Sequence, residues 1–206
     1  MRVLDKLGEV MEYSRPEDDA GYTVIPTLLP FSPLQYPIFF FSLERFLRTN
    51  ATSVASSFGM IHVLAHEVSH FIFFDILSQM SEEVHTKCDK TINYFAKEIL
   101  APIVMNDARL NVILHLTNYS GNPFLKHITV RYGTKEENIV SFFRAEYERQ
   151  IATGVSFITF VSYLLETLFS IQKELHERLN LWNEHGTALS SDANLYAQYC
   201  DPIEIK

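Results

Sequence analysis

The sequence predicts an α+β protein, mostly helical, and three observations carry that expectation. Apolar residues recur at helical spacing through a long proline-free stretch, from residue 51 to about Met80. Before it, short runs rich in aromatic and β-branched residues are broken by Pro26, Pro30, Pro33 and Pro37, a pattern that suits strands and turns but interrupts a helix. After it, apolar rhythms with helical period return as far as Trp182, with no internal repeat.

Taken in order, Leu4, Leu7, Val10 and Met11 predict a short helix that ends before Arg15-Pro16. Tyr22 to Ile25 and Pro37 to Ser42 read as strands, with the prolines at edges or turns. Val54, Phe58, Ile61, Leu64, Ala65, Val68, Phe71, Ile72 and Ile76 make the long stretch a nearly fully buried helix. A charged stretch, Glu82 to Lys90, opens a second helix from about Glu83 to Ala101, ahead of Pro102. Val104 to Leu116 suggests a third helix, and residues 117–123 an evident loop. Phe124 to Tyr132 and Thr134 to Arg149 read as two helices around Gly133, with Thr134 as N-cap and Glu137 as its capping-box partner. Beyond the apolar stretch 151–172, Gln172 to Trp182 reads as a polar helix, and the tail from Asn183 has turn-like composition. A chain of 206 residues, 47% hydrophobic, buries one sizeable core. The expected organisation is one domain over residues 1–150 with a helical extension, 151–206, packed on it.

Charge and cysteine content narrow the function. A formal charge of -8 with only 17 Lys plus Arg leaves no excess positive charge to neutralise phosphates, so nucleic acid is not expected as a partner, and protein or peptide is. Cys88 and Cys200 cannot build a disulfide framework, and the N-terminus carries no charged-then-apolar leader pattern; a reducing cytoplasm is the expected location. Residues 151–172 lack Lys and Arg and are numerous enough to cross a bilayer. Glu166 and several hydroxyl side chains within them favour a buried or partner-facing helix instead.

The long helix contains the string His66-Glu67-Val68-Ser69-His70. Residues four apart lie one above the other on a helix, so His66 and His70 can present imidazoles to one ion at the distances zinc requires. Glu67 then falls beside the metal and is suited to general acid-base work on a zinc-activated water. Chance alone produces such a string on the order of a few per cent of the time in a chain of this composition, and two core histidines held by hydrogen bonds are the alternative. Polar groups on an otherwise apolar helix are costly to bury without a common partner, and a metal supplies one.

A catalytic zinc takes a third protein ligand, expected from the second helix. Asp89 is the candidate, with Asn93 one turn later to orient a zinc-bound imidazole. Glu82, Glu83 and His85 are alternatives placed where solvent is expected, and Cys88 is read as a reduced structural cysteine. His62, one turn before His66, is a further ligand, a supporting group or a core residue. His115, Tyr119 and His127 are candidates for stabilising an oxyanion.

The string LAHEVSHFIFF, followed after a charged gap by DKTINYFAKEILAP, resembles the ImmA/IrrE family of zinc metallopeptidases. Asn93, Phe95, Ala96, Leu100 and Pro102 fall in register with the family pattern, which puts Asp89 at its acidic position. VRYGTKEENIVSFFRAEY resembles the family's small helical segment, and the likeness runs from about Ser53 to Tyr147. A more distant similarity is to Lit-type peptidases and membrane-bound zincins. Two departures stand out: an aspartate replaces the usual glutamate, and Ile92 replaces an alanine. The resemblance implies a zincin-like motif helix and a second ligand helix beside a small sheet, one Zn2+ per chain, cytoplasmic location, and cleavage of a specific regulatory protein. Alternatives are a non-catalytic binding module that keeps the fold and a membrane-associated zincin.

Overall fold

A computed structural model describes residues 3–14, 23–28, 34–35, 38–43, 59–116, 118–185 and 201–205. Among the described residues the chain is mostly helical, with two small three-stranded sheets. It divides into two compact units. One comprises Met1–Ile76 and Val104–Thr117, and the other Leu77–Ile103 and Asn118–Lys206.

In the first unit, helix α1 (Val3–Val10) buries Leu7 and Val10 and packs on α5 (Ala108–Leu114). Strands β1 (Thr23–Thr27), β2 (Leu34–Gln35) and β3 (Ile38–Ser42) form a sheet in the order β1-β3-β2, with β1 parallel and β2 antiparallel to β3. Both expected strands are present within the described residues. Pro26 lies in β1, at the edge of the sheet, where a missing N–H is tolerated.

Helix α2 (Gly59–Ser78) carries the histidine motif; the part of the predicted helix before it, and Arg15-Pro16, lie outside the described residues. The sheet sits beside this helix, because Phe41 of β3 and Phe71 of α2 form a buried pair with Leu43, Val63 and Leu64 around it. Two polar ties hold α2 in place. Tyr13 donates its hydroxyl proton to Asp75 Oδ2 at 2.8 Å, and His62 Nε2 lies 2.9 Å from the Leu114 carbonyl oxygen, which it can only approach as a donor.

The second unit starts with a short helix, α3 (Glu82–Lys87), followed by α4 (Lys90–Met105). Two helices therefore stand where one was expected, because the chain is extended at Cys88 (φ -89°, ψ 92°) before α4 begins. Helix α4 also continues through Pro102 to Met105, and α5 starts later than predicted, capped by the Asp107 side chain on the Arg109 N–H. Gly121, at φ 65°, brings the following loop against Pro102; a Cβ there would stand 3.0 Å from Pro102 Cγ.

Of the two helices predicted around Gly133, the first is not found and the second begins only at Ile139. A 3-10 turn (Pro123–His127) leads instead into a hairpin, β4 (Thr129–Tyr132) and β5 (Lys135–Asn138), with Tyr132 paired to Lys135. The loop is two residues long with Gly133 first at φ 61°, which favours a tight hairpin over a helical bend. Thr129 and Val130 are β-branched and suit the strand. Asn138, rather than Thr134, caps α6 (Ile139–Ala152), accepting from the Val140 N–H at 3.0 Å.

The apolar stretch becomes the 14-residue helix α7 (Phe157–Ser170), which buries Phe157, Phe160, Val161, Leu164, Leu165 and Leu168. Among the described residues no helix is long and apolar enough to cross a membrane. Helix α8 (Gln172–His185) follows, and β6 (Ile203–Glu204) joins β4 in parallel. Residues 186–200, with Cys200, lie outside the described residues.

Candidate metal centre

His66 and His70 are one turn apart on α2, and their rings meet edge to face with centroids 4.4 Å apart. His70 is 1% exposed, Glu67 9%, and His66 is half-buried. Ser69 turns its hydroxyl back to the His66 carbonyl oxygen at 2.6 Å, so this polar residue needs no other partner within the helix.

Among the described residues, one group of side chains has the composition and spacing to hold a metal ion: His66, His70 and Glu98, whose donor atoms all lie within 4.8 Å of one another. Two imidazoles and a carboxylate are a donor set that zinc accepts, with a fourth position left over. Ligands at zinc distances around a tetrahedral centre stand about 3.4 Å apart, so donors already this close need only side-chain adjustment. The residues present fit the ion.

Glu98 was not the carboxylate expected, and Asp89 is not in the group. Asp89 directly precedes α4, where an aspartate turns back on the helix it starts. Its Oδ1 accepts the N–H groups of Thr91 and Ile92, each at 2.9 Å, and its carbonyl accepts the Asn93 N–H at 3.0 Å. Its Oδ2 accepts from Gln172 Nε2 at 2.9 Å and faces His176 Nε2 at 2.7 Å. Burial pushes this carboxyl up, but the Ile92 amide, His176 and Gln172 together outweigh it and hold Asp89 below the usual carboxylate value. The acid is committed to capping α4 and to receiving α8.

Asn93 donates to the Cys88 carbonyl at 3.3 Å, and its buried Oδ1 has no hydrogen-bond partner. That places it on the start of α4, not in the donor group. Glu82 and Glu83 are exposed, Glu83 paired with Lys87 at 2.6 Å, and the side chain of His85 lies outside the described residues. Burial pushes the Cys88 thiol up, as expected of an inert structural cysteine. His115 is the left-handed C-cap of α5, at φ 50°, and is exposed. His127 stacks on Trp182 with centroids 6.4 Å apart, and Tyr119 is half-buried. None of these three belongs to the donor group.

The signal for Glu98 was present in the sequence. It is a carboxylate set among Phe95, Ala96, Ile99 and Leu100, and it is 7% exposed. A polar group on an apolar helix needs a partner, and this holds for Glu98 as for His66 and His70. Lys97 meets it, Nζ to Oε1, at 2.7 Å. One turn earlier on α4, burial and the Glu98 carboxylate push the Tyr94 phenol up to about 12, so it remains protonated; Asn122 Nδ2 donates to its oxygen at 2.9 Å.

No family model matches this chain, and no curated protein or solved structure matches it significantly.

Proposed function

We propose that the chain is a zinc-dependent endopeptidase whose ion is held by His66, His70 and Glu98, with Glu67 as the general base. The observation that carries this reading is the convergence of two motif histidines with a buried carboxylate from another helix. Zinc in such a site supplies a Lewis acid that polarises a carbonyl and eases deprotonation of water. Glu67 follows His66 on α2 and is nearly buried, which suits a carboxylate that takes a proton from the attacking water and returns it to the leaving amine. Burial of His70 and Glu98 limits competing solvent and strengthens the hold of the donor set. The reading agrees with the ImmA/IrrE resemblance at His66, Glu67 and His70 and departs from it at the acid, Glu98 in place of Asp89. A specific, regulatory protein of the cytoplasm is the proposed substrate class; the acidic charge of the chain accords with a protein partner.

The test pairs metal content with cleavage. Elemental analysis of the purified chain should find about one zinc per chain, lost in His70→Ala. Incubated with a proteome-derived peptide library, the zinc-loaded chain should create new termini read by mass spectrometry. Glu67→Gln should keep the zinc and lower cleavage by about 10²–10⁴-fold. Zinc without any Glu67-dependent cleavage would instead favour a non-catalytic binding module.

A further inference from the structure

We infer that Tyr94 is a further catalytic residue of the proposed reaction, its phenolic O–H donating a hydrogen bond to the peptide carbonyl oxygen that gains negative charge as water adds. The inference rests on the peptidase reading above. Its own observations come from Tyr94, Lys97 and Glu98 on α4 and from Asn122 in the loop that follows α5.

Tyr94 precedes Glu98 by four residues, so the two side chains leave α4 on one face, a turn apart. Lys97 lies between them: its Nζ stands 5.5 Å from the Tyr94 ring centroid and 2.7 Å from Glu98 Oε1. The ring is held against Phe95 and Phe124, with centroids 5.7 and 6.3 Å away. At the hydroxyl the direction of hydrogen bonding is settled. Asn122 Oδ1 accepts the Phe124 N–H at 3.1 Å, which turns its amide nitrogen toward Tyr94, and Nδ2 donates to the phenol oxygen at 2.9 Å. The phenol is the acceptor there and keeps its own proton, which no acceptor among the described residues takes. With its pKa pushed up to about 12 by burial and the Glu98 carboxylate, the phenol is a neutral donor at neutral pH. The side chain is half-buried, fixed by its neighbours yet open to an arriving peptide.

Addition of water to a peptide carbonyl forms a C–O bond, passes a proton to Glu67 and places the carbonyl electron pair on oxygen. Collapse re-forms the C=O bond, breaks the C–N bond and returns the proton to the amine. Full charge on the carbonyl oxygen exists only between those two events, so a fixed donor placed there stabilises the transition state more than the substrate. The Lys97 ammonium is already committed to Glu98 Oε1. The role for which the sequence suggested His115, Tyr119 and His127 thus falls to Tyr94.

Tyr94→Phe keeps the ring against Phe95 and Phe124 and removes only the hydroxyl. With a peptide that the zinc-loaded wild type cleaves, kcat should fall by about 10²–10³-fold while KM stays within a few-fold and zinc content is unchanged. Asn122→Asp retains an oxygen for the Phe124 N–H but offers the phenol proton a carboxylate; it should also lower kcat, by about 10-fold or more. A second readout needs no turnover. A phosphinic analogue of the same peptide, which carries a tetrahedral anion at the scissile position, should bind zinc-loaded Tyr94→Phe more weakly than wild type by a factor close to the fall in kcat, measured by calorimetry. The parent peptide should bind Glu67→Gln and the double variant Glu67→Gln/Tyr94→Phe equally. Retained kcat in both Tyr94→Phe and Asn122→Asp, or equal weakening of the analogue and the parent peptide, overturns the role of Tyr94 alone. A wild-type chain that holds zinc and cleaves no peptide overturns the peptidase reading and this role with it.

Discussion

Helix α4 has an acid at its start and an acid in its middle, and the two have different lives. Asp89, at the N-cap, is 40% exposed in its side chain and takes four donors, two from its own helix and two from α8. Glu98, two and a half turns along, is 7% exposed, pairs with the Lys97 ammonium, and has a carboxylate oxygen within 4.8 Å of a ring nitrogen of each of His66 and His70. The difference shows that position along a helix decides what a carboxylate does. At the first turn the unsatisfied amides claim it, whereas in the helix interior every amide is already paired and the carboxylate must pair with side chains instead.

The largest effect should come from exchanging the loss of one acid for the other. Glu98→Gln should reduce zinc from about one per chain to near none, whereas Asp89→Ala should leave it in place. Elemental analysis of both variants decides this, and the reverse result would break the comparison. Stability should divide the other way. Asp89→Ala removes the cap and should cost about 1–2 kcal/mol, a fall of a few degrees in Tm for a chain of this length, measured by thermal unfolding of the metal-free protein.

A smaller effect tests the helix between them and its support without touching a donor. Gly121→Ala places a Cβ 3.0 Å from Pro102 Cγ on a residue at φ 65°. It should cost about 1 kcal/mol, read as a lower denaturation midpoint, with zinc content preserved. The smallest effect is in pH. Asp89 is held below its ordinary value in the folded chain, so its contribution is fully present above the unfolded carboxyl pKa of about 3.9 and is lost as pH falls through the lower folded value. The stability gap between wild type and Asp89→Ala should therefore be wide at neutral pH and narrow below that range, as measured by urea unfolding at each pH.

Local signals in the sequence read well where the pattern was dense. The motif helix, the strands Thr23–Thr27 and Ile38–Ser42, and the polar helix from Gln172 were all legible from spacing and residue type. The hairpin at Thr129–Asn138 was misread as helix because Thr134 and Glu137 fit a capping box as well as a strand. Two residues of loop and a glycine at φ 61° settle the matter for the hairpin, and β6, far along the chain, completes its sheet by pairing with β4.

What the sequence alone determined is the placement of three polar side chains on one helix: His66, Glu67 and His70 stand at a fixed spacing because 3.6 residues complete a turn. What only the tertiary structure decided is which carboxylate stands near the two histidines. Asp89 and Glu98 are both carboxylates within reach of the same pattern in a linear reading, and spacing from His70 cannot rank them. The choice depends on where α4 begins. Because it begins at Lys90, Asp89 caps the helix and is used up there, while Glu98 falls on the buried part of the helix and joins the histidines.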